Sequence, residues 1–502
     1  MSLDPNAPGW TGDGHAVVIG SSLAGLTAAR ALANSMDRVT VIERDRLPRG
    51  ARWRRGVAQS RHAHNLMAAG HEGLEILFPG ISRELITAGM VRVRMPEDML
   101  LLGPQGWMPR FDTGLSMMTG TRDVLDAVVR RRLLAEPKVT ILEEHEVIGL
   151  EPGRNDTVTG VWARPKDAKA TGGWGEKRLI PAEFTVDASG RRSRAPQWLT
   201  ELGYGAPEES VVSARTAYAT QVFAPPVGHV ADWTCMLLMA SPDCPRQGIL
   251  NPIERGRWMV SVSASGDERP ATSPAGLLEA AGKLRDPVLR EVIESASPLG
   301  PVHGSGRTEN RWRHYEKMRR WPDQFLVLGD ALGAFNPSYG QGMSVAVQSA
   351  LVLDELLTAH GTVVGLAYRL RRRLARTIAP AWQLASSMDL AYPWAAAASP
   401  PGAVDRLGKK YMDRIAAAAV TDHHAARLLI ELTMLLAPPT AAFRPRVLAA
   451  ALRGPRGELP TGPPSKTHGP GARRPRPAAA ARPSAEPAPA ATPEPAQARR
   501  QR

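Results

Sequence analysis

The chain has 502 residues, enough for two or three domains sharing a large core, and its hydrophobic fraction of 43% excludes a wholly disordered protein. A net charge of +14 raises nucleic acid or a membrane surface as a partner, but the placement of that charge argues against both. From Ala451 onward ten Lys/Arg stand against three Asp/Glu, so half of the excess lies on a Pro/Ala-rich tail with no Phe, Tyr or Trp after Phe443.

Such a segment buries too little apolar surface to offset its ordering entropy, so 453–502 is read as a disordered, solubilising basic tail. Cys235 and Cys244 make neither a disulfide framework nor a zinc site and fit a reducing compartment. The opening MSLDPNAPGWTGDGH lacks a basic region followed by an apolar run. The stretch LLIELTMLLAPPTAAF is interrupted by Glu431 and broken by Pro438 and Pro439. A cytoplasmic protein is expected, with no leader, no transmembrane segment and no nucleic-acid partner.

In chain order, the first predicted strand is AVVIG (16–20), a β-branched run of the kind buried in parallel sheets. A helix follows over SSLAGLTAARALANSM, and a second strand, RVTVIERD, ends in Glu43. Gly20 permits the tight turn, Gly25 allows close helix–strand packing, and the helix start aims free N–H groups at a pyrophosphate. Glu43 can accept from ribose hydroxyls and repels a 2′-phosphate, so FAD or NAD fits better than NADP at this site. The pattern is GxSxxG, with Ser22 replacing the usual middle glycine. Next come TGTRDVLDAVV, with Arg122 at a helix start, and VDASGRRSR (186–194). ARTAYATQVF, WTCMLLMA, QGILNPI and RWMVSVSAS read as strands offering Tyr218, Met236, Leu238, Leu250 and Met259 as candidate substrate-pocket residues. The strand FLVLG then leads to Asp330, and a Gly/Pro-rich loop reaches a helix from Gly342 onward. An acid there can accept from a ribityl hydroxyl. N–H groups around Gly340, Gln341 and Gly342 can form an anion nest for the charge that grows on a reduced flavin. Residues 365–450, rich in Ala, Leu and Arg, read as helices that close the pocket.

With these motifs the chain resembles the FAD-dependent monooxygenases typified by para-hydroxybenzoate hydroxylase and squalene epoxidase. The middle motif departs from the family pattern, since Asp187 and Gly190 are split by two residues. RRGVAQSRHAH (54–64), GRWMVSVSASG (256–266) and ENRWRHYEKMRRWPDQFLVLGDALGAFNPSYGQGMS (309–344) resemble the flavin-dependent polyene epoxidases of polyether antibiotic biosynthesis. The resemblance implies an α/β fold: a Rossmann-like FAD-binding domain from 1–75, 115–205 and 305–380, a substrate-binding β-sheet domain from 76–114 and 206–304, and a C-terminal helical segment over 381–452. It implies FAD contacts from Gly20, Ser22, Leu23, Ala24, Gly25, Glu43, Arg44, Arg55, Arg122, Val147, Asp187, Gly329, Asp330, Gly342 and Met343. Arg122 is expected on the phosphates. The Pro337 carbonyl and the N–H groups of Gly340, Gln341 and Gly342 are expected beside the reacting oxygen.

The implied reaction uses O2 as co-substrate and NAD(P)H, directly or through a separate flavin reductase. A flavin C4a-hydroperoxide delivers one oxygen atom to an alkene of an apolar, polyketide-type substrate. His62 and His64 alone make no metal site, and no metal is expected. Aromatic hydroxylation, double-bond reduction and a non-catalytic flavin-binding scaffold stay open as alternatives. A flavin halogenase is disfavoured because WxWxIP is missing.

Overall fold

The computed structural model describes residues 14–466 apart from 171, 363 and 398–401. Five parallel strands form the first sheet, in the order Phe325–Val327, Phe184–Asp187, His15–Ile19, Arg38–Ile42, Val139–Leu142. HAVVI is buried throughout and FLV likewise, as strands covered on both faces must be. The helix Leu23–Ala33 packs against this sheet and against the helix Gly342–His360, which in turn meets Ala68–Leu77 and Leu366–Asp389. A three-stranded antiparallel sheet (His145–Pro152, Val158–Pro165, Arg178–Pro181) packs on the strand Phe184–Asp187.

A seven-stranded mixed sheet runs Ser297–Ser305, Ala217–Ala224, Arg257–Ala264, Arg246–Ile253, Cys235–Leu238, Met99–Gly103, Gly106–Trp107. The helices Pro274–Gly282 and Val288–Glu294 bury Leu277, Leu289 and Ile293 against it. Beyond it, the helices Ala403–Ala419, His423–Thr433 and Pro445–Arg453 share an apolar core with Met108 and Phe111.

The helix Gly342–His360 is long and apolar enough to cross a membrane, but half of that stretch is buried inside the molecule, and its length covers the Rossmann layer instead. The tail differs from its expectation. Residues 454–466 lie on the body: Arg456 N donates to Thr421 Oγ1 (2.8 Å), Arg110 Nη1 donates to the Pro464 carbonyl (3.2 Å), and Lys466 Nζ pairs with Asp98 (2.9 Å). Arg110 is wholly buried, and chain following it supplies an acceptor for its guanidinium. The remainder of the expected disordered tail, 467–502, lies outside the described residues.

Candidate active site

One cavity of about 1080 Å³ joins the Rossmann layer, the seven-stranded sheet and the C-terminal helices, and two helix starts open onto it. At the first, Gly20 has φ +96°, and a Cβ there would meet the Ala188 carbonyl at 2.8 Å. A Cβ on Gly25 would lie 1.8 Å from the Gly20 carbonyl, so only glycine allows this helix to sit so near its strand. Ser22 is the N-cap but makes no side-chain capping bond, and the first turn carries no acid. The amides of this turn are therefore left to an anion, and Ser22, Leu23 and Ala24 all line the cavity. The second start repeats the arrangement: Gln341 caps Gly342–His360 without a side-chain bond, again with no acid in the first turn. Both polar atoms of the Gln341 amide are buried without a partner, although the residue lines the cavity. A buried amide left open in this way is a ready binding group.

Glu43 ends the strand Arg38–Ile42 and receives Ser21 N (3.0 Å), Ser21 Oγ (2.6 Å) and Asp45 N (2.9 Å), and it pairs with Arg54 at 2.9 Å. Burial works to raise its pKa, but the Arg54 guanidinium and these hydrogen bonds hold it below the usual carboxylate value. Arg44 and Arg55 also line the cavity, as do Arg122, Val147, Asp330, Pro337, Gly340, Gly342 and Met343. Asp330 lies deep in the molecule, which raises its pKa against the pull of Arg191 and Arg122. Its side chain is nonetheless 38% exposed, because it faces the cavity. Arg122, first residue of its helix, is anchored by Asp126 at 2.7 Å.

Three sequence expectations change. Asp187 is fully buried and turned away from the cavity, accepting from Ser189 N (2.9 Å) and Ser193 Oγ (2.5 Å). The loop beyond it, Ala188 to Arg192, lines the cavity instead. Gly25 and Gly329 contribute close approach rather than lining: a Cβ on Gly329 would strike the Ala24 side chain at 2.7 Å. Of the five candidate pocket residues only Tyr218 lines the cavity. Met236, Leu238 and Leu250 lie in the core cluster formed with the two helices behind the sheet, while their neighbours Leu237, Met239 and Ile249 line the cavity. Side chains alternate along a strand, so a one-residue choice exchanges wall for core. Met259 has the parity of the cavity-lining Ser261 and Ser263 but is buried outside the lining.

The sheet presents graded rows to the cavity. Ser305, Tyr218, Ser263 and Gln247 stand side by side across four strands, a polar row. The next, Ser261, Ile249, Leu237 and Leu101, becomes apolar toward the C-terminal helices. His62 bonds Thr220 Oγ1 through Nδ1 (2.8 Å) and stacks edge-on to Tyr218 at 4.5 Å. Burial, with His64, His303 and Arg61 nearby, lowers its pKa to about 3. His64 donates from Nδ1 to the His62 carbonyl (2.7 Å), and burial beside Arg122 lowers its pKa to about 4. Both rings are neutral at pH 7.

Sequence reasoning missed Arg54, which holds Glu43, although it begins the RRGVAQSRHAH run. It missed Arg191, whose Nη1 and Nη2 reach the carbonyls of Glu309 (2.8 Å) and Phe335 (2.6 Å) and whose Nε stands 3.7 Å from Asp330. The arginine pair of VDASGRRSR is the signal that points to it.

An FAD binding domain family profile matches residues 13–363, and the chain belongs to that family. The Mycobacterium tuberculosis protein Rv3254 is 31% identical over 452 residues, covering 88% of this chain and 94% of that one. A kynurenine 3-monooxygenase of Salinispora tropica is 28% identical over 368 residues, 68% of this chain and 72% of the enzyme. Among solved structures, the flavin-dependent brominase Bmp2 superposes with a TM-score of 0.58 at 14% identity, covering 84% of this chain and 93% of that one, a likeness of fold. The protein is thus a flavoprotein of the FAD-dependent monooxygenase class, with FAD as its cofactor. The residues fit that cofactor: two uncapped helix starts, an unpartnered Gln341 amide and a close glycine turn at Gly20 line one cavity.

Proposed function

We propose that this flavin-dependent monooxygenase epoxidises carbon–carbon double bonds of a largely apolar, polyketide-type polyene. The observation that carries the reading is the far wall of the cavity, where Met95, Met99, Leu101, Met117, Leu237 and Met239 present aliphatic surface without a charge. Flexible methionines accommodate a chain that shifts between reactive positions.

In this reading Glu43 and Arg44 hold the adenosine end of FAD, the Ser22–Ala24 turn and Arg122 hold the pyrophosphate, and Asp330 accepts from the ribityl chain. The Gln341 and Gly342 amides would face the flavin ring, whereas the Gly340 N–H, expected in the same nest, is taken by the Pro337 carbonyl (3.1 Å). When bound, FAD would supply the activation of O2, with NAD(P)H, directly or through a separate reductase, as the source of electrons. Alkene, O2, NAD(P)H and a proton give epoxide, NAD(P)+ and water. The chain's own task is to orient the alkene and keep water out, and the Met/Leu wall does both. No side-chain base is needed for an alkene. A cytoplasmic setting accords with two free cysteines.

Aromatic hydroxylation is the second reading. It is favoured by the buried Tyr218 hydroxyl on a cavity-lining residue, between its cross-strand neighbour Ser305 and the neutral His62. Turnover of a linear polyene with FAD, NADPH, an added flavin reductase and ¹⁸O2 tests the choice by mass spectrometry. One ¹⁸O per epoxide is expected. Turnover of phenols alone, of halide alone, or reduction of the double bond without label overturns the epoxidase reading, and no turnover of any of them leaves a flavin-binding scaffold.

A further inference from the structure

Behind the cavity-lining segment Asn336–Tyr339 lies a carboxylate that the flavin contacts above do not use. Asp389, last residue of the helix Leu366–Asp389, is 0% exposed. Among the described residues no ion pair reaches it. Its side-chain partners are three neutral donors instead: Tyr339 Oη at 2.6 Å and Asn336 Nδ2 at 3.1 Å on Oδ1, and Asn310 Nδ2 at 2.7 Å on Oδ2, with the Ala214 backbone N–H beside them. Asn310 returns to the same segment, its Oδ1 accepting from Asn336 N at 2.7 Å, and Asn336 Oδ1 accepts from Ser338 N at 3.1 Å. Gln247 closes the far side, donating to the Ser338 carbonyl at 3.3 Å.

A buried carboxylate without a cation is costly, and an apolar side chain would fill the same space more cheaply. What the charge supplies is direction. Three donors from two separated parts of the chain must converge on two oxygens, and that fixes a single shape for the turn. We propose that Asp389 is a positioning residue that sets the flavin-facing loop Asn336–Gly342, acting through Tyr339 and Asn336. The inference rests on the placement of that loop against the flavin ring.

Asp389→Asn is the direct test, because it keeps the shape and turns one acceptor into a donor facing donors. Tyr339→Phe removes one donor and keeps the ring, and it serves if Asp389→Asn does not fold. Amide hydrogen exchange of the FAD-loaded protein reads the loop, and the visible flavin spectrum with the Kd for FAD reads its effect. We expect exchange to accelerate at least ~10-fold in 335–342 and not elsewhere, a shifted flavin band, and FAD binding weakened about 10-fold. The double variant should be no worse than Asp389→Asn alone, since both act through one contact. Unchanged loop exchange overturns the inference whatever the flavin does, and so does protection lost equally throughout the molecule, which marks a merely structural residue. Faster loop exchange with an unaltered spectrum and Kd overturns the flavin-facing placement of the loop, and the inference with it.

Discussion

Asp330 and Arg122 stand together at the proposed cofactor site. Each lines the cavity, and each contributes to the field at the other, the arginine opposing the rise in the aspartate's pKa. Losing one charge-assisted hydrogen bond costs roughly 1.5–3 kcal/mol, so Asp330→Ala and Arg122→Ala should each weaken FAD binding about 10- to 150-fold in a fluorescence titration. Wild-type affinity in either variant removes that residue from the cofactor site. His62 and His64 make a second, pH-dependent contribution. Their pKa values in the folded protein, about 3 and about 4, lie below the ordinary 6.5, so between pH 6.5 and those values the unfolded chain binds more protons. Stability is therefore full above pH 6.5 and declines as pH falls, by up to about 1.4 kcal/mol per histidine per pH unit. Urea melts at pH 7.5, 6 and 5 should show that slope, and His62→Gln should flatten it. Most of these residues were legible because the dinucleotide and GD-type motifs fix where flavin-side groups fall in sequence. Arg191 and Asp389 were not, since their partners are brought in from more than a hundred and about fifty to eighty residues away.

Along the elements, the strands of the seven-stranded sheet were legible as strands, but their facing was not. QGILNPI is apolar at successive positions because helices cover one face and an apolar cavity wall the other, so periodicity does not say which side chain is which. The adjacent pair Ile249 and Leu250 separates the two faces by experiment. Leu250→Ala should cost about 2–5 kcal/mol of stability, as for a fully buried leucine, and leave substrate preference alone. Ile249→Ala should alter KM or product distribution with a smaller loss in the urea melt. The reverse pattern would mean that the strand is out of register with the cavity. The same reasoning covers Met236 and Leu237, which pair with Leu250 and Ile249 across the sheet.

At the scale of the whole chain, composition located the basic tail but set its start too early. Pro, Gly and Lys between 454 and 466 look unstructured by content, yet the Pro464 carbonyl and Lys466 amine meet Arg110 and Asp98 on the body. Pairing of that kind is invisible to composition because the partners are about 350 residues upstream. A chain ending after Lys466 should match the full protein in FAD content and urea midpoint. One ending after Gly454 should lose about 0.5–1.5 kcal/mol, the net worth of a lost hydrogen bond, since Arg110 keeps Asp232 and the Glu97 carbonyl and Asp98 keeps Arg94. Equal stability of the two would show the strap to be incidental. The order of the parallel sheet has a further consequence, one for synthesis. The strand Phe184–Asp187 waits beside His15–Ile19 for a neighbour that is not translated until Phe325–Val327. Until then a nascent chain carries an open, apolar sheet edge and lacks half of its cofactor cradle. Ribosome pausing ahead of Phe325 should therefore direct this protein toward chaperones or aggregates.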